Sequence, residues 1–324
     1  MRSFSPREWG RRLLSWGGKY RRPLSWDFVA LVFILMARRL YHDWQSLPAD
    51  YVLRLDYRML ATSLVALMLA LLVVSSRWGL IVRVLGVPIS YRQSIRIWFL
   101  SQMGRYLPGG IWNYASRFYL SRAEMSGDIA VLSMIIETLL RVLSEGLVFL
   151  VSLPFWRTQE MIGRQGIILS IIGIVGGLAL LHPRVVDAIR RTPWLHRMAG
   201  GADASTTAPL PTYGRMLGLL LYYAMTVLVT GGAFWLLQQT IHSLPYSDLP
   251  VFLGIVAVST VVGFLFPLAP NGWGVREGLM AVLLGQMMPA AIAIMVSVAC
   301  RLWLSLAEWI WILIFLRWRP QLAK

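Results

Sequence analysis

The chain has 324 residues, of which 57% are apolar and only 14% are charged, and its formal net charge is +16. Soluble domains contain about 45–50% apolar and about 25% charged residues, so this composition excludes an ordinary soluble enzyme. In a membrane protein the positive excess indicates orientation and contact with anionic lipid head groups. The sequence has no basic tail and no RNA-binding motif, and we expect no nucleic-acid partner.

Eight hydrophobic segments follow one another along the chain. They lie at about 26–44, 59–80, 127–155, 165–182, 213–241, 249–267, 275–288 and 290–316. Several contain the roughly 18 or more apolar residues that cross a bilayer core. The pattern predicts an all-α fold, a polytopic transmembrane helix bundle. The seventh segment is too short to span unaided, and we expect a half-helix there.

Residues 1–324 are predicted to form a single membrane domain with two halves. The stretch 199–211 is rich in Gly, Ser, Thr and Pro, as mobile linkers are. It would join an N-terminal half, 24–198, to a C-terminal half, 212–317. Within the fourth segment, Gly173 and Gly177 have the spacing that allows close helix packing.

The distribution of Lys and Arg predicts the orientation. If the N-terminus is cytoplasmic, the inside segments hold 23 of the 31 Lys and Arg residues and the outside connections hold 6. The inside segments are 2–22, 77–122, 184–215, Arg276 and 317–324, and the outside connections with Lys or Arg are 38–58 and 157–164. This bias follows the positive-inside rule. The basic N-terminal stretch lacks the apolar core and cleavage site of a signal peptide. We therefore expect a multi-pass protein of the cell inner membrane with both termini in the cytoplasm.

Two segments are interrupted by Pro and Gly, at 104–112 and at 266–278. Both contain a Pro-x-Gly core followed closely by Trp, and the two cores are 162 residues apart, half the chain. Backbone freed at membrane depth must be buried in protein or face a wet cavity. Paired breaks in corresponding halves indicate a transporter's binding site, and such broken segments can be re-entrant. The alternative is that both are ordinary interfacial turns.

Charged residues inside the segments are the second signal. Glu137, Arg141 and Glu145 recur at intervals of four and so share one helix face, and the last segment carries Arg301 and Glu308. A charge near the bilayer centre costs at least about 2.5–3.5 kcal/mol, so these side chains pair or line a hydrated cavity. The alternative is a structural role, in which internal ion pairs fix the helix register.

Arginine suits bidentate capture of phosphate, and the breaks offer free backbone donors. The candidate substrate-binding residues are therefore Arg105, Pro108, Gly109, Gly110, Arg117, Glu137, Arg141, Asn271, Gly272, Arg276, Glu277 and Arg301. Of Arg276 and Glu277, which are neighbours and diverge by about 100° on a helix, at least one should face a central cavity. No His-rich metal motif, nucleotide loop or nucleophile elbow occurs, so we expect no metal, cofactor or catalytic residue.

Three stretches resemble the lysylphosphatidylglycerol synthase transmembrane, or flippase-like, family. They are GRYLPGGIWNYASRFYL (104–120), IIETLLRVLSEG (135–146) and PLAPNGWGVREGLMAVLL (267–284). The family includes the flippase half of the multiple-peptide-resistance factor and proteins found with lipid-linked glycan pathways. The resemblance implies an inner-membrane protein that moves, or helps to move, a lipid with a modified head group between leaflets. It also implies a phospholipid or lipid-linked glycan as ligand.

Two alternatives belong to other classes. The chain could be an integral-membrane lipid-phosphate or glycolipid transferase in which Glu137 or Glu277 acts as a base. It could also be a non-catalytic partner of a glycan- or lipid-modifying enzyme, which predicts copurification with that enzyme and no transport alone. The soluble aminoacyl-transferase half of the bifunctional family members has no counterpart in this sequence, so lysyl-lipid synthesis by this chain alone is not expected.

Overall fold

A computed structural model of the chain describes residues 30–43, 56–106, 111–156, 163–192, 211–266, 269 and 272–317. Within these ranges the regular secondary structure is entirely helical, as the sequence predicts. The α-helices are α1 (30–43), α2 (Tyr57–Val84), α3 (Tyr91–Gln102), α4 (Trp112–Ser121), α5 (Gly127–Ser152), α6 (Gly163–Leu180), α7 (Pro183–Arg190), α8 (Tyr213–Ile241), α9 (Leu249–Leu265), α10 (Val275–Leu284) and α11 (Ala290–Arg317).

Polar side chains fix where several helices begin. Asp56 accepts hydrogen bonds from the amides of Arg58 and Met59 at the start of α2, at 2.9 and 3.3 Å. Ser90 and Gln93 form a reciprocal capping box at the start of α3. Such caps satisfy amides that have no partner within the helix.

Five segments of the described chain are long and apolar enough to cross a membrane: α2, α6, α8, the segment Tyr246–Leu265 that contains α9, and α11. Helix α5 is comparable in length, about 39 Å at 1.5 Å per residue, but it carries Glu137, Arg141 and Glu145. Helix α10 has only 10 residues, which agrees with the predicted half-helix. These helices confirm a polytopic helical membrane protein.

Helices α2, α5, α8, α9 and α11 pack around a common centre, whereas α6 lies at the periphery against α5. The side chains of α6 are mostly apolar and mostly exposed, as expected for a helix that faces lipid. A Cβ atom on Gly177 would lie 2.2 Å from Cδ2 of Leu143, so this glycine permits the close α5–α6 contact. Gly173 has open space around it, and the packing prediction is confirmed at Gly177 alone.

The structure differs from the sequence prediction between residues 77 and 122. We expected a cytoplasmic connection there, but α2 continues to Val84 and two further helices, α3 and α4, follow. Helices α3 and α4 pack against each other, and α3 also packs on α11. Their aromatic and apolar side chains are therefore part of the bundle core, where Trp98 and Phe99 are buried.

Helix α1 packs against α10 and α11 through Met36, Ala281 and Ile294. Its Phe33 ring lies 6.2 Å from the ring of Trp273, so α1 also covers the second break. The predicted linker 199–211 lies, except for its last residue, outside the described residues.

Candidate functional site

A cavity of about 130 Å³ lies at the centre of the bundle, and its wall is unusually rich in charge. The charged side chains of the wall are Arg77, Arg105, Arg117, Glu137, Arg141, Glu145, Arg276, Arg301 and Glu308. They come from α2, α4, α5, α10 and α11 and from a 3-10 turn, Met103–Tyr106, that follows α3. Six arginines against three glutamates give the wall an excess of positive charge.

Arg117 of α4 and Glu137 of α5 form an ion pair between the two helices, with side chains 3% and 14% exposed. The Arg117 guanidinium donates to a carboxylate oxygen of Glu137 and, through Nε, to Oγ of Ser101 at 3.1 Å. The indole Nε1 of Trp98 donates to the other Glu137 oxygen at 3.3 Å. Glu137 thus pairs across helices, and Arg141 instead lies 3.6 Å from the carboxylate of Glu145 on its own helix.

A second pair joins the first break to the last helix. Arg105 donates to one carboxylate oxygen of Glu308 at 2.5 Å, and the Tyr106 hydroxyl donates to the other at 2.9 Å. Glu308 is 2% exposed, and these two contacts neutralise and solvate its charge away from water. The Arg105–Glu308 ion pair therefore links the first break to α11.

A third pair lies beside the second break. Glu277 accepts a hydrogen bond from the amide of Gly274 at 2.7 Å, and its other oxygen lies 3.6 Å from Nε of Arg301. The Arg301 guanidinium lies 4.6 Å from the Trp273 ring centroid, within range of a cation–π contact. Glu277 is buried, while Arg276 faces the cavity, which confirms that one of these neighbours points to the centre.

Two arginines of the wall, Arg77 and Arg276, form no ion pair with a carboxylate in the described part of the chain. Arg77 donates to the carbonyl of Tyr223 at 3.3 Å and lies 4.7 Å from that ring centroid. Arg276 lies 5.7 Å from the ring centroid of Phe234. Each of these guanidinium groups therefore lies near an aromatic ring, with no carboxylate at salt-bridge distance.

Backbone geometry at the second break depends on glycine. Gly272 and Gly274 have positive φ angles of 71° and 83°, which L residues with a side chain rarely adopt. A Cβ atom on Gly272 would lie 2.7 Å from the backbone carbonyl of Gly263 in α9. Gly263 in turn packs against Arg276, where an added Cβ would lie 2.9 Å from that of the arginine. The close approach of these glycines positions Arg276.

We expect Gly272→Ala to lower the free energy of unfolding by about 1–3 kcal/mol, because the methyl group meets backbone that cannot move aside. Gly278→Ala is the matched control, since Gly278 is helical and has open space within 4 Å. It should be neutral or stabilising by up to about 1 kcal/mol. Thermal unfolding of the purified variants checks both expectations, and equal stabilities would contradict the close packing of the break.

At the first break, Gly104 lies against the start of α4. A Cβ atom on Gly104 would lie 2.4 Å from the carbonyl oxygen of Trp112. This contact brings Gln102, at the end of α3, and Asn113, in the first turn of α4, to the same cavity. Neither amide was identified from the sequence, because a lone Gln or Asn beside a turn carries no recognisable pattern.

The structure brings together six of the predicted site residues on the cavity wall: Arg105, Arg117, Glu137, Arg141, Arg276 and Arg301. Glu277 contacts Arg301 of the wall. Gly272 packs against Gly263, which in turn packs against Arg276. Pro108, Gly109, Gly110 and Asn271 lie outside the described residues. Arg77 was not predicted as a site residue from the sequence, although an arginine at the end of an apolar segment is a detectable signal.

The count of Lys and Arg residues that predicted the orientation includes four arginines of the cavity wall. Arg77, Arg105, Arg117 and Arg276 were counted in inside segments, but they line the cavity. Without these four, the inside segments still hold 19 Lys and Arg residues against 6 outside. The excess of Lys and Arg therefore remains on the inside, and the orientation with both termini in the cytoplasm stays a prediction.

A family model, described as the lysylphosphatidylglycerol synthase TM region, matches residues 25–307. Neither a curated protein nor a solved structure matches the chain. The matched range begins just before α1 and ends within α11, so it contains every charged residue of the cavity wall except Glu308. The chain therefore belongs to the family of the lysylphosphatidylglycerol synthase TM region.

Proposed function

We propose that this protein moves an anionic or glycan-modified lipid between the leaflets of the cell inner membrane. The observation that carries the proposal is the central cavity, where Arg77 and Arg276 have no carboxylate partner within the described chain. Positive charge that lines a cavity without a carboxylate at salt-bridge distance favours an anionic ligand. The family concerns a lipid-related membrane region, which supports a lipid as that ligand.

The four Arg–Glu pairs suggest how a head group would be accommodated. A phosphate that enters near Arg276 can replace a carboxylate as the partner of a neighbouring arginine, since both are bidentate acceptors. The carboxylate that gives up its arginine would keep another partner, as Glu308 keeps the hydroxyl of Tyr106. Exchange of partners avoids a step in which a charge is buried alone, which would cost several kcal/mol.

The broken segments contribute side chains to the same site. The wall includes residues from both breaks, with Arg105 on one and Arg276 on the other. Helices interrupted at membrane depth are typical of transporters whose binding site lies between two repeats. We infer that the described ends of both breaks belong to the lipid-binding site.

Reconstitution tests the proposal. Vesicles that contain the purified protein and a fluorescent anionic phospholipid should exchange that lipid between leaflets faster than protein-free vesicles, as measured by chemical quenching of the outer leaflet. Mass spectrometry of the same vesicles should find no new lipid species. Conversion of the lipid would instead support a transferase, and exchange no faster than in protein-free vesicles would contradict transport.

We expect a reporter fused at Lys324 and a label at Thr206 to report the cytoplasmic side, and a label at Ser243 to report the outside. The physical reason is the excess of Lys and Arg on the segments assigned to the inside. Accessibility to a membrane-impermeant thiol reagent, with single cysteines introduced at Thr206 and Ser243, checks this. Labelling of position 206 from outside would overturn the orientation.

A further inference from the structure

Two side-chain amide oxygens on the cavity wall are buried and lack hydrogen-bond partners. The Oε1 atom of Gln102 and the Oδ1 atom of Asn113 are shielded from solvent and accept no hydrogen bond in the described structure. The whole Gln102 residue is only 1% exposed. Buried polar atoms are nearly always paired, so two orphaned amides on one wall indicate a missing partner.

The chemistry of these groups differs from that of the arginines. An amide is uncharged and offers an acceptor oxygen and a donor NH₂ group, whichever way it is turned. Arg77 and Arg276 instead offer positive charge and donors only. The cavity therefore presents an anion-binding part and a neutral part that accepts hydrogen bonds.

A ligand that satisfies both parts carries a phosphate and free hydroxyl groups. A hydroxyl group can donate to Gln102 or Asn113 and accept from their NH₂ groups. An ammonium group would also donate to these oxygens, but the wall has six arginines against three glutamates, and this excess of positive charge would repel it. Hydroxyl groups satisfy the amides without this penalty.

We propose that Gln102 and Asn113 form a specificity subsite for the hydroxyl groups of a polyol or sugar head group, whose phosphate lies at Arg276. The inference rests on the proposed function, because it takes the phosphate ester to be a lipid head group. A soluble polyol phosphate has the same chemistry at its head, so the experiment includes one.

The test compares two short-chain lipids that each carry one phosphodiester charge, phosphatidylinositol and phosphatidylethanol. Only the first has head-group hydroxyls. Each lipid displaces a bound fluorescent anionic lipid from the purified full-length protein in detergent, and the half-displacing concentrations are compared. We expect phosphatidylinositol to displace at about tenfold lower concentration, as one or two buried hydrogen bonds allow.

Gln102→Met and Asn113→Leu remove the amides at similar volume, and each should reduce this preference toward unity without changing the value for phosphatidylethanol. Gln238→Met is the matched control, because Gln238 is buried with an unpartnered Oε1 but does not line the cavity. It should keep the preference. If a cavity variant does not fold, the wild-type comparison and the other variant still decide.

Equal displacement by the two lipids in the wild type, or a preference unchanged in both amide variants, would overturn the subsite. Inositol 1-phosphate should not displace the probe at the lipid concentrations used, and equal displacement would overturn the assignment to a lipid. If these measurements overturn the subsite while vesicles with the wild-type protein still exchange lipid, the proposed function stands. Absence of exchange in vesicles would contradict the proposed function itself.

Discussion

Glu137→Gln should lower the free energy of unfolding by about 3–5 kcal/mol, because it leaves the Arg117 guanidinium buried without its counter-charge. Arg117 is 2% exposed and receives its neutralisation from Glu137 alone among the carboxylates of the described chain. Ser101 and the faces of Trp78 and Trp98 remain, but they do not carry a negative charge. Chemical or thermal unfolding of purified protein measures the loss.

The double variant Glu137→Gln with Arg117→Gln should recover much of that stability, since neither side leaves a lone charge. The double variant Glu137→Gln with Arg141→Gln is the matched control, because Arg141 pairs with Glu145. It should recover nothing. Equal recovery in both double variants would contradict the observed pairing. A folded Glu137–Arg117 double variant that no longer exchanges lipid would further assign this pair to transport.

The sequence allowed the membrane class, the helical fold and the positions of both breaks to be predicted, because each depends on local composition. Long apolar runs and Pro-Gly interruptions act within a few residues of where they occur. The candidate arginines were also accessible, since a charge in an apolar segment is conspicuous whatever its partner. Most of the predicted charged residues therefore lie on one cavity wall.

The pairing of these charges was not predictable from spacing along a helix. Glu137 and Arg141 are four residues apart on one helix face, but Glu137 forms its ion pair with Arg117 on α4. Likewise, Arg301 and Glu308 share a helix but pair with Glu277 and Arg105. Contacts across helices depend on how α3 and α4 pack into the bundle, and these helices were expected to be a connection.

Arg276→Lys should reduce the rate of lipid exchange about tenfold, and Arg276→Ala about a hundredfold. Lysine keeps the charge but loses the paired donors of the guanidinium, and loss of one charge-assisted hydrogen bond corresponds to about 1.5 kcal/mol. Alanine also removes the charge. Because Arg276 has no ion-pair partner within the described residues, neither change leaves a buried carboxylate alone, and both variants should fold.

Arg215→Lys is the matched control for this pair of variants. Arg215 lies exposed at the start of α8 and away from the cavity, so this change should leave the exchange rate as it is in the wild type. Equal expression and melting temperature across the three variants would attribute a lost rate to the site.

The measurement that tests the central claim most directly is the exchange rate of a fluorescent anionic phospholipid in vesicles that contain wild-type, Arg276→Lys or Arg276→Ala protein. We expect the exchange rate to fall in that order, while the three vesicle preparations contain equal amounts of inserted protein. Exchange at the wild-type rate with Arg276→Ala would contradict an anion site at Arg276, and Arg276 would then be an aromatic-supported structural arginine of α10.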